Sequence, residues 1–171
     1  MKKLTLVRHA KSSWKDPSLN DFDRPLNKRG KRDLPAMAER LHQFYINPDL
    51  IISSGANRAL TTAQAIKTRL KLSQDKLIIQ PELYESCSET LLYVLQNQSN
   101  APQHIMLVGH NPGLEMLGFF LTQEHLEKFP TAAVMHMHLS VTRWDELAEG
   151  CATLTLFDYP KKHQEEDNKD S

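Results

Sequence analysis

The stretch Leu4-Thr5-Leu6-Val7-Arg8-His9 decides the reading of this chain. A short run of β-forming residues ends abruptly in a guanidinium and an imidazole, which reads as a buried strand with chemistry at its carboxyl end. Two later runs have the same form. Leu50-Ile51-Ile52-Ser53-Ser54 is followed by Arg58, and His104 to Val108 leads into Gly109-His110-Asn111-Pro112-Gly113. Amphipathic segments separate them. From Gly30 to Tyr45, the residues Leu34, Met37, Ala38, Leu41 and Phe44 recur at helical spacing, and Pro35 falls in the first turns, where it is tolerated. Ala56 to Leu72 is again helical, with Leu60, Ala63, Ile66 and Leu70 on one face. Leu77-Ile78-Ile79 reads as a further strand, and Ser88 to Gln98 as a helix with Ser88 as its cap. Asn111 as cap and Pro112 at the first helical position open a helix through Leu121. Met135 to Thr142 and Ala152 to Phe157 alternate and read as two late strands.

Strands alternating with helices predict an α/β fold, a three-layer αβα sandwich with a mostly parallel central sheet. In such folds ligands sit outside the carboxyl ends of the strands. That rule gathers Arg8, His9, Arg58 and His110 into one crevice. Taken singly the signals are weak. An Arg-His pair after a strand is ordinarily a surface pair, and Gly-His-Asn-Pro is ordinarily a helix cap. Their joint occurrence at successive strand ends points to a site.

The chemistry such a cluster suits is phosphoryl transfer. Planar guanidinium groups grip phosphoryl oxygens bidentately, and Arg8 and Arg58 approach from two sides. The helix starting near Asn111 offers backbone amides and a positive dipole end. Nearby arginine charges push a histidine pKa down and favour the neutral, nucleophilic imidazole. Arg and His supply the charge stabilisation, so the expectation is no metal and no other cofactor.

Composition sets the outer bounds. The chain has 171 residues, 21 Lys+Arg and 21 Asp+Glu, for a formal net charge of zero. This length and ordinary composition predict one domain, taken as residues 1–159. A tail, 160–171, follows with seven charged residues in twelve and is expected to be disordered. Neutrality excludes a broadly basic nucleic-acid binder. No apolar run approaches the roughly 20 residues that span a bilayer. The stretch before Arg8 is too short for a signal peptide, so the expected location is cytoplasmic. Cys87 and Cys151 make neither a disulfide framework nor a zinc motif, and Cys87 reads as an inert thiol. His136 and His138 share one strand face at a metal-compatible spacing, but no third ligand is evident, and a partly exposed face is preferred.

Three blocks carry a family resemblance. Leu6-Val7-Arg8-His9-Ala10 resembles the Arg-His-Gly block of the histidine phosphatase superfamily, the phosphoglycerate mutase-like proteins. Ser53-Ser54-Gly55-Ala56-Asn57-Arg58-Ala59 through Ala63 resembles its second block, and Val108-Gly109-His110-Asn111-Pro112 its third. The short chain, Ala10, and Arg24-Pro25-Leu26-Asn27-Lys28-Arg29-Gly30 are similar to the SixA-type phosphohistidine phosphatase branch. The resemblance implies that His9 is the nucleophile and is transiently phosphorylated. It implies a phosphate pocket of Arg8, Arg58 and His110, with Arg24 reaching in from the first loop. Ala10 and Gly55 replace the usual Gly and Pro. Pro81-Glu82-Leu83-Tyr84-Glu85 places Glu85 where many members hold a proton donor, with Glu82 as the alternative. The expected substrate is a phosphohistidine on a protein. The alternatives are a small phosphomonoester, which needs Glu85 more, and a phosphate-binding adaptor without turnover. Neither nucleic acid nor membrane is an expected partner. Asp21 and Asp23 read as solubilising loop residues, and Ser12 and Trp14 as lining the mouth.

Overall fold

The computed structural model describes residues 1–163. Six strands and four helices alternate along most of its length: β1 (Lys3–Arg8), α1 (Lys28–Gln43), β2 (Leu50–Ser53), α2 (Asn57–Arg69), β3 (Leu77–Ile79), α3 (Ser88–Gln96), β4 (His104–Gly109), α4 (Gly113–Thr122), β5 (Val134–Leu139) and β6 (Ala152–Asp158). The sheet order is β3-β2-β4-β1-β5-β6. The first four in that order are parallel, and β5 and β6 pair antiparallel. This is the expected three-layer α/β architecture with a mostly parallel sheet.

Successive strand residues point to opposite faces, so each inner strand feeds two cores. Leu4, Leu6, Ile105 and Leu107 pack with Leu91 and Leu95 of α3 and Leu114, Leu117 and Leu121 of α4. Val7, Ile51, Met106 and Val108 pack with Leu34, Met37 and Leu41 of α1 and Ala59, Ala63 and Ile66 of α2. Apolar residues on both faces are what a central parallel sheet requires, and they explain the unbroken runs in β2 and β4.

Several boundaries differ from the sequence reading. α1 starts earlier, at Lys28, because the Asn27 side chain accepts from the Gly30 amide and caps it. Gly30 also faces the loop after His9. A Cβ there would lie 2.2 Å from the Lys11 carbonyl oxygen, so only glycine lets α1 press against that loop. α4 begins at Gly113 with Pro112 at its cap position, rather than at Asn111. β5 ends at Leu139, short of Thr142. Residues 160–163 of the expected tail fold back: the Pro160 carbonyl accepts from Arg40 and the Lys162 ammonium donates to the Phe157 carbonyl. The rest of that segment, 164–171, lies outside the described residues.

His136 is buried rather than partly exposed. The Thr5 hydroxyl bridges His104 Nε2 and His136 Nδ1, each at 2.7 Å, with the rings 5.1 Å apart. A hydroxyl can donate to one ring nitrogen and accept from the other, so both imidazoles are satisfied while neutral. Burial pushes His104 down to about 3 and His136 down to about 4. Among the described residues no three His, Cys, Asp or Glu side chains are grouped to hold a metal ion, and no helix is long and apolar enough to cross a membrane.

These folded-state values lie below the value of about 6.5 in an unfolded chain. Protons therefore bind the unfolded chain more readily once the pH drops below 6.5. The stability held by the neutral rings is complete above pH 6.5 and is lost as the pH falls toward 4. Each imidazole contributes a slope approaching about 1.4 kcal/mol per pH unit. Urea unfolding between pH 7.5 and 4.5 checks this, and a flat stability from pH 6.5 to 5 would contradict it.

Candidate active site

The carboxyl ends of β1, β4 and β2 lie side by side, and backbone bonds continue the ladder past the strands. The His9 amide donates to the Gly109 carbonyl at 3.1 Å and the Ser54 amide to the Val108 carbonyl at 3.0 Å. The Ala132 amide, in the loop before β5, donates to the His9 carbonyl at 3.0 Å. His9 and His110 are thereby fixed with ring centroids 5.1 Å apart.

The tautomer of His9 follows from its partner. Nδ1 lies 2.7 Å from the Ala10 carbonyl oxygen, which can only accept. Nδ1 therefore carries the proton, and Nε2 keeps its lone pair. Burial is the main force holding His9 neutral, and the His110, Arg58 and Arg8 charges add to it against the raising effect of the Ala10 bond. Its pKa falls to about 3. His110 falls to about 4, first through burial and then through Arg58, with Asp21 opposing. Its Nε2 meets the Ser54 hydroxyl at 2.8 Å. His110 Nδ1 and Arg8 Nε are buried without a hydrogen-bond partner among the described residues. Such groups are costly to bury, and an anion accepting from the Arg8 Nε–H would satisfy that donor. Arg8 Nη1 is held by the Phe129 carbonyl at 2.9 Å.

Arg58, almost buried, projects from the first turn of α2. Its Nη1 donates to the Asp21 carbonyl at 2.7 Å and its Nη2 to the Asp21 carboxylate at 2.9 Å. Arg24 donates to the same carboxylate at 3.1 Å, and so does the Tyr84 hydroxyl at 2.6 Å. Arg24 thus joins the cluster through Asp21. Its second contact is the Ser13 carbonyl, and its guanidinium lies over the Trp14 ring at 3.4 Å. The reading of Asp21 as a solubilising loop residue is therefore corrected: it ties Arg24, Arg58 and Tyr84 together. Tyr84 in turn meets His110 edge-on at 5.6 Å and Phe22 edge-on at 5.0 Å. The Tyr84 hydroxyl, with its two arginine neighbours, holds Asp21 down to about 2, so this carboxylate is ionised across the working range.

Glu85 follows Tyr84 directly, and after burial and Asp21 its charge helps to raise the Tyr84 hydroxyl pKa. Glu85 and Glu82 are exposed, and the Glu82 carboxylate accepts from Gln80. Neither hydrogen-bonds to Arg8, Arg24, Arg58 or either site histidine among the described residues. The start of α4 also differs from the expected amide cradle. The amides of Leu114, Glu115 and Met116 already donate to the His110 carbonyl, the Asn111 side chain and the Pro112 carbonyl. Ser12 is buried and forms a bridge to Leu26.

A pair of neutral imidazoles between buried arginines, with the Arg8 Nε–H unpaired among the described residues, has the chemistry to bind a tetrahedral dianion. The model of the histidine phosphatase superfamily (branch 1) matches residues 4–90, and the chain belongs to that superfamily. Its similarity extends to the SixA-type branch. A crystal structure assigned as the phosphohistidine phosphatase SixA of Agrobacterium tumefaciens matches with TM-score 0.80 at 30% identity, covering 93% of this chain and 98% of that one. The protein histidine phosphatase SixA complexed with tungstate shares the fold, with TM-score 0.77 at 21% identity over 92% of this chain and 97% of that one. An uncharacterised chloroplastic protein of Arabidopsis thaliana is 30% identical over 153 residues, 85% of this chain and 70% of that protein. Family and fold thus make the chain a phosphatase.

Asp21 yields a direct test. Asp21→Asn keeps the shape but removes the charge that three donors share. A charge-assisted bond is worth about 1.5–3 kcal/mol, or roughly 10- to 100-fold. Inhibition by orthovanadate should weaken by at least about tenfold, with the fold intact by circular dichroism. Tighter vanadate binding by the variant would mean that Asp21 mainly repels the anion.

Proposed function

We propose that this phosphatase hydrolyses phosphohistidine on a protein, through a transient phosphohistidine on its own His9. The observation that carries the reading is the ionised state of Asp21. It is the carboxylate bonded to the pocket arginines, and its pKa of about 2 makes it unable to donate a proton. An alkoxide leaves poorly without a proton, whereas an imidazole protonated by solvent is already a good leaving group. A pocket whose arginine-bonded carboxylate is held ionised suits a P–N bond better than a phosphomonoester.

The steps follow from the geometry. His9 Nε2 donates its lone pair to phosphorus while Nδ1–H stays on the Ala10 carbonyl. The P–N bond of the substrate breaks and its imidazole departs. Arg8, Arg58 and His110 bear the charge of the transferring oxygens, with Arg24 held alongside by Asp21. Water then attacks phosphorus, the bond to Nε2 breaks, and inorganic phosphate leaves with His9 neutral again. No step calls for a metal or other cofactor. Residues 1–159 would form the catalytic domain. A cytoplasmic setting belongs to the same proposal, supported by two free cysteines.

The test compares a phosphohistidine protein with p-nitrophenyl phosphate. The expected kcat/KM is at least about 100-fold higher for phosphohistidine, and Glu85→Gln should leave that value within about twofold. A preference for p-nitrophenyl phosphate that collapses in Glu85→Gln would favour the phosphomonoester reading. Phosphate release from neither substrate would favour the adaptor.

A further inference from the structure

A groove of about 820 Å³ runs beside the mouth, between residues 13–19 and the start of α1. Its apolar floor includes Leu19, Pro25 and Leu26, and its rim carries Lys15, Lys28 and Lys31, all exposed. Asp33 pairs with Arg29 and Arg32, and the Asp16 carboxylate accepts from Ser18. Lys15, Lys28 and Lys31 have no carboxylate within ion-pair distance among the described residues. The first turn of α1 holds no acidic residue, so Lys28 and Lys31 sit against the positive end of the helix dipole. That arrangement lowers stability.

The groove is joined to the site. Ser13, in its wall, accepts from Arg24, the arginine that Asp21 links to Arg58. Ser13 and Pro25 are bonded backbone to backbone at 2.8 Å, so groove wall and pocket rim are one paired segment. A protein presenting a phosphorylated side chain to His9 would meet this segment beside the pocket.

We propose that this groove is the docking surface for an acidic, partly apolar face of the phosphorylated protein substrate. The proposal rests on the phosphohistidine-protein reading and adds to it the chemistry of the partner. Carboxylates on the partner would meet Lys15, Lys28 and Lys31, and an apolar side chain would cover Leu19 and Leu26. The chain is neutral overall and its free cations here border one groove, which favours a local acidic patch over a nucleic-acid backbone.

The experiment uses the full chain and phosphohistidine peptides flanked by Glu or by Gln. At low salt the Glu-flanked peptide should show a kcat/KM about tenfold higher, and the gap should close near 0.5 M NaCl. The double variant Lys28→Glu, Lys31→Glu should lose the preference, keep its rate on the Gln-flanked peptide, and melt no lower than the parent, because acids suit a helix N-terminus. Fluorescence anisotropy with the unphosphorylated Glu-flanked peptide reads docking without turnover. Binding by the parent and its loss in the variant support the proposal even if no peptide is hydrolysed, in which case the phosphohistidine reading alone fails. Equal handling of both peptides, binding unchanged in the variant, or tighter binding of an oligothymidylate of equal charge would overturn it.

Discussion

The parallel register of β1 with β4, and of β4 with β2, is the constraint on which the site depends. It sets Arg8 opposite Gly109 and Ser53 opposite Val108, so three strands end at one level. Each chain leaves its strand still bonded to its neighbour, and the first side chains beyond are His9, His110 and Ser54. Shifting any of these strands by one residue would turn its side chains to the opposite face and dismantle both cores and the cluster together. Burial of apolar residues on both faces of the sheet is thus what holds two imidazoles 5.1 Å apart.

Burial also settles the chemistry. It outweighs every other influence on His9 and His110, and the neighbouring arginines push the same way. The result is a pair of neutral imidazoles in a cationic setting. Asp21 balances that setting from the rim. Its charge engages Arg24 and Arg58, and its bond from Tyr84 keeps it ionised. The zero net charge of the chain is therefore an average over unlike regions. Cations gather at the pocket, where Asp21 partly offsets them, and along the adjoining groove, where Lys15, Lys28 and Lys31 have no ion-pair partner among the described residues.

The alternation of strands and helices was legible in the sequence because both periodicities are strong in a sheet buried on two sides. Arg8, His9, Arg58 and His110 were legible because they follow strands directly. Asp21 and Tyr84 were not. They reach the site from two short 3-10 turns, 63 residues apart in sequence, and no local pattern pairs them. Glu85 drew attention by its spacing, but Tyr84, its neighbour, is the side chain that turns inward. The α4 amides looked available because a cap residue was expected at Asn111. The chain instead satisfies them with the His110 and Pro112 carbonyls and the Asn111 side chain. His136 looked half exposed because strand alternation does not reveal that Thr5 and His104 lie beside it.

The central claim is that the His9 Nε2 lone pair takes the phosphoryl group. Rapid quenching into alkali during turnover of a phosphohistidine protein, followed by peptide mass spectrometry and ³¹P NMR, tests it most directly. The account predicts an alkali-stable, acid-labile phosphoryl group on His9, attached at Nε2 because Nδ1 is engaged by Ala10. Phosphate on another residue, attachment at Nδ1, or full turnover by His9→Ala would contradict it.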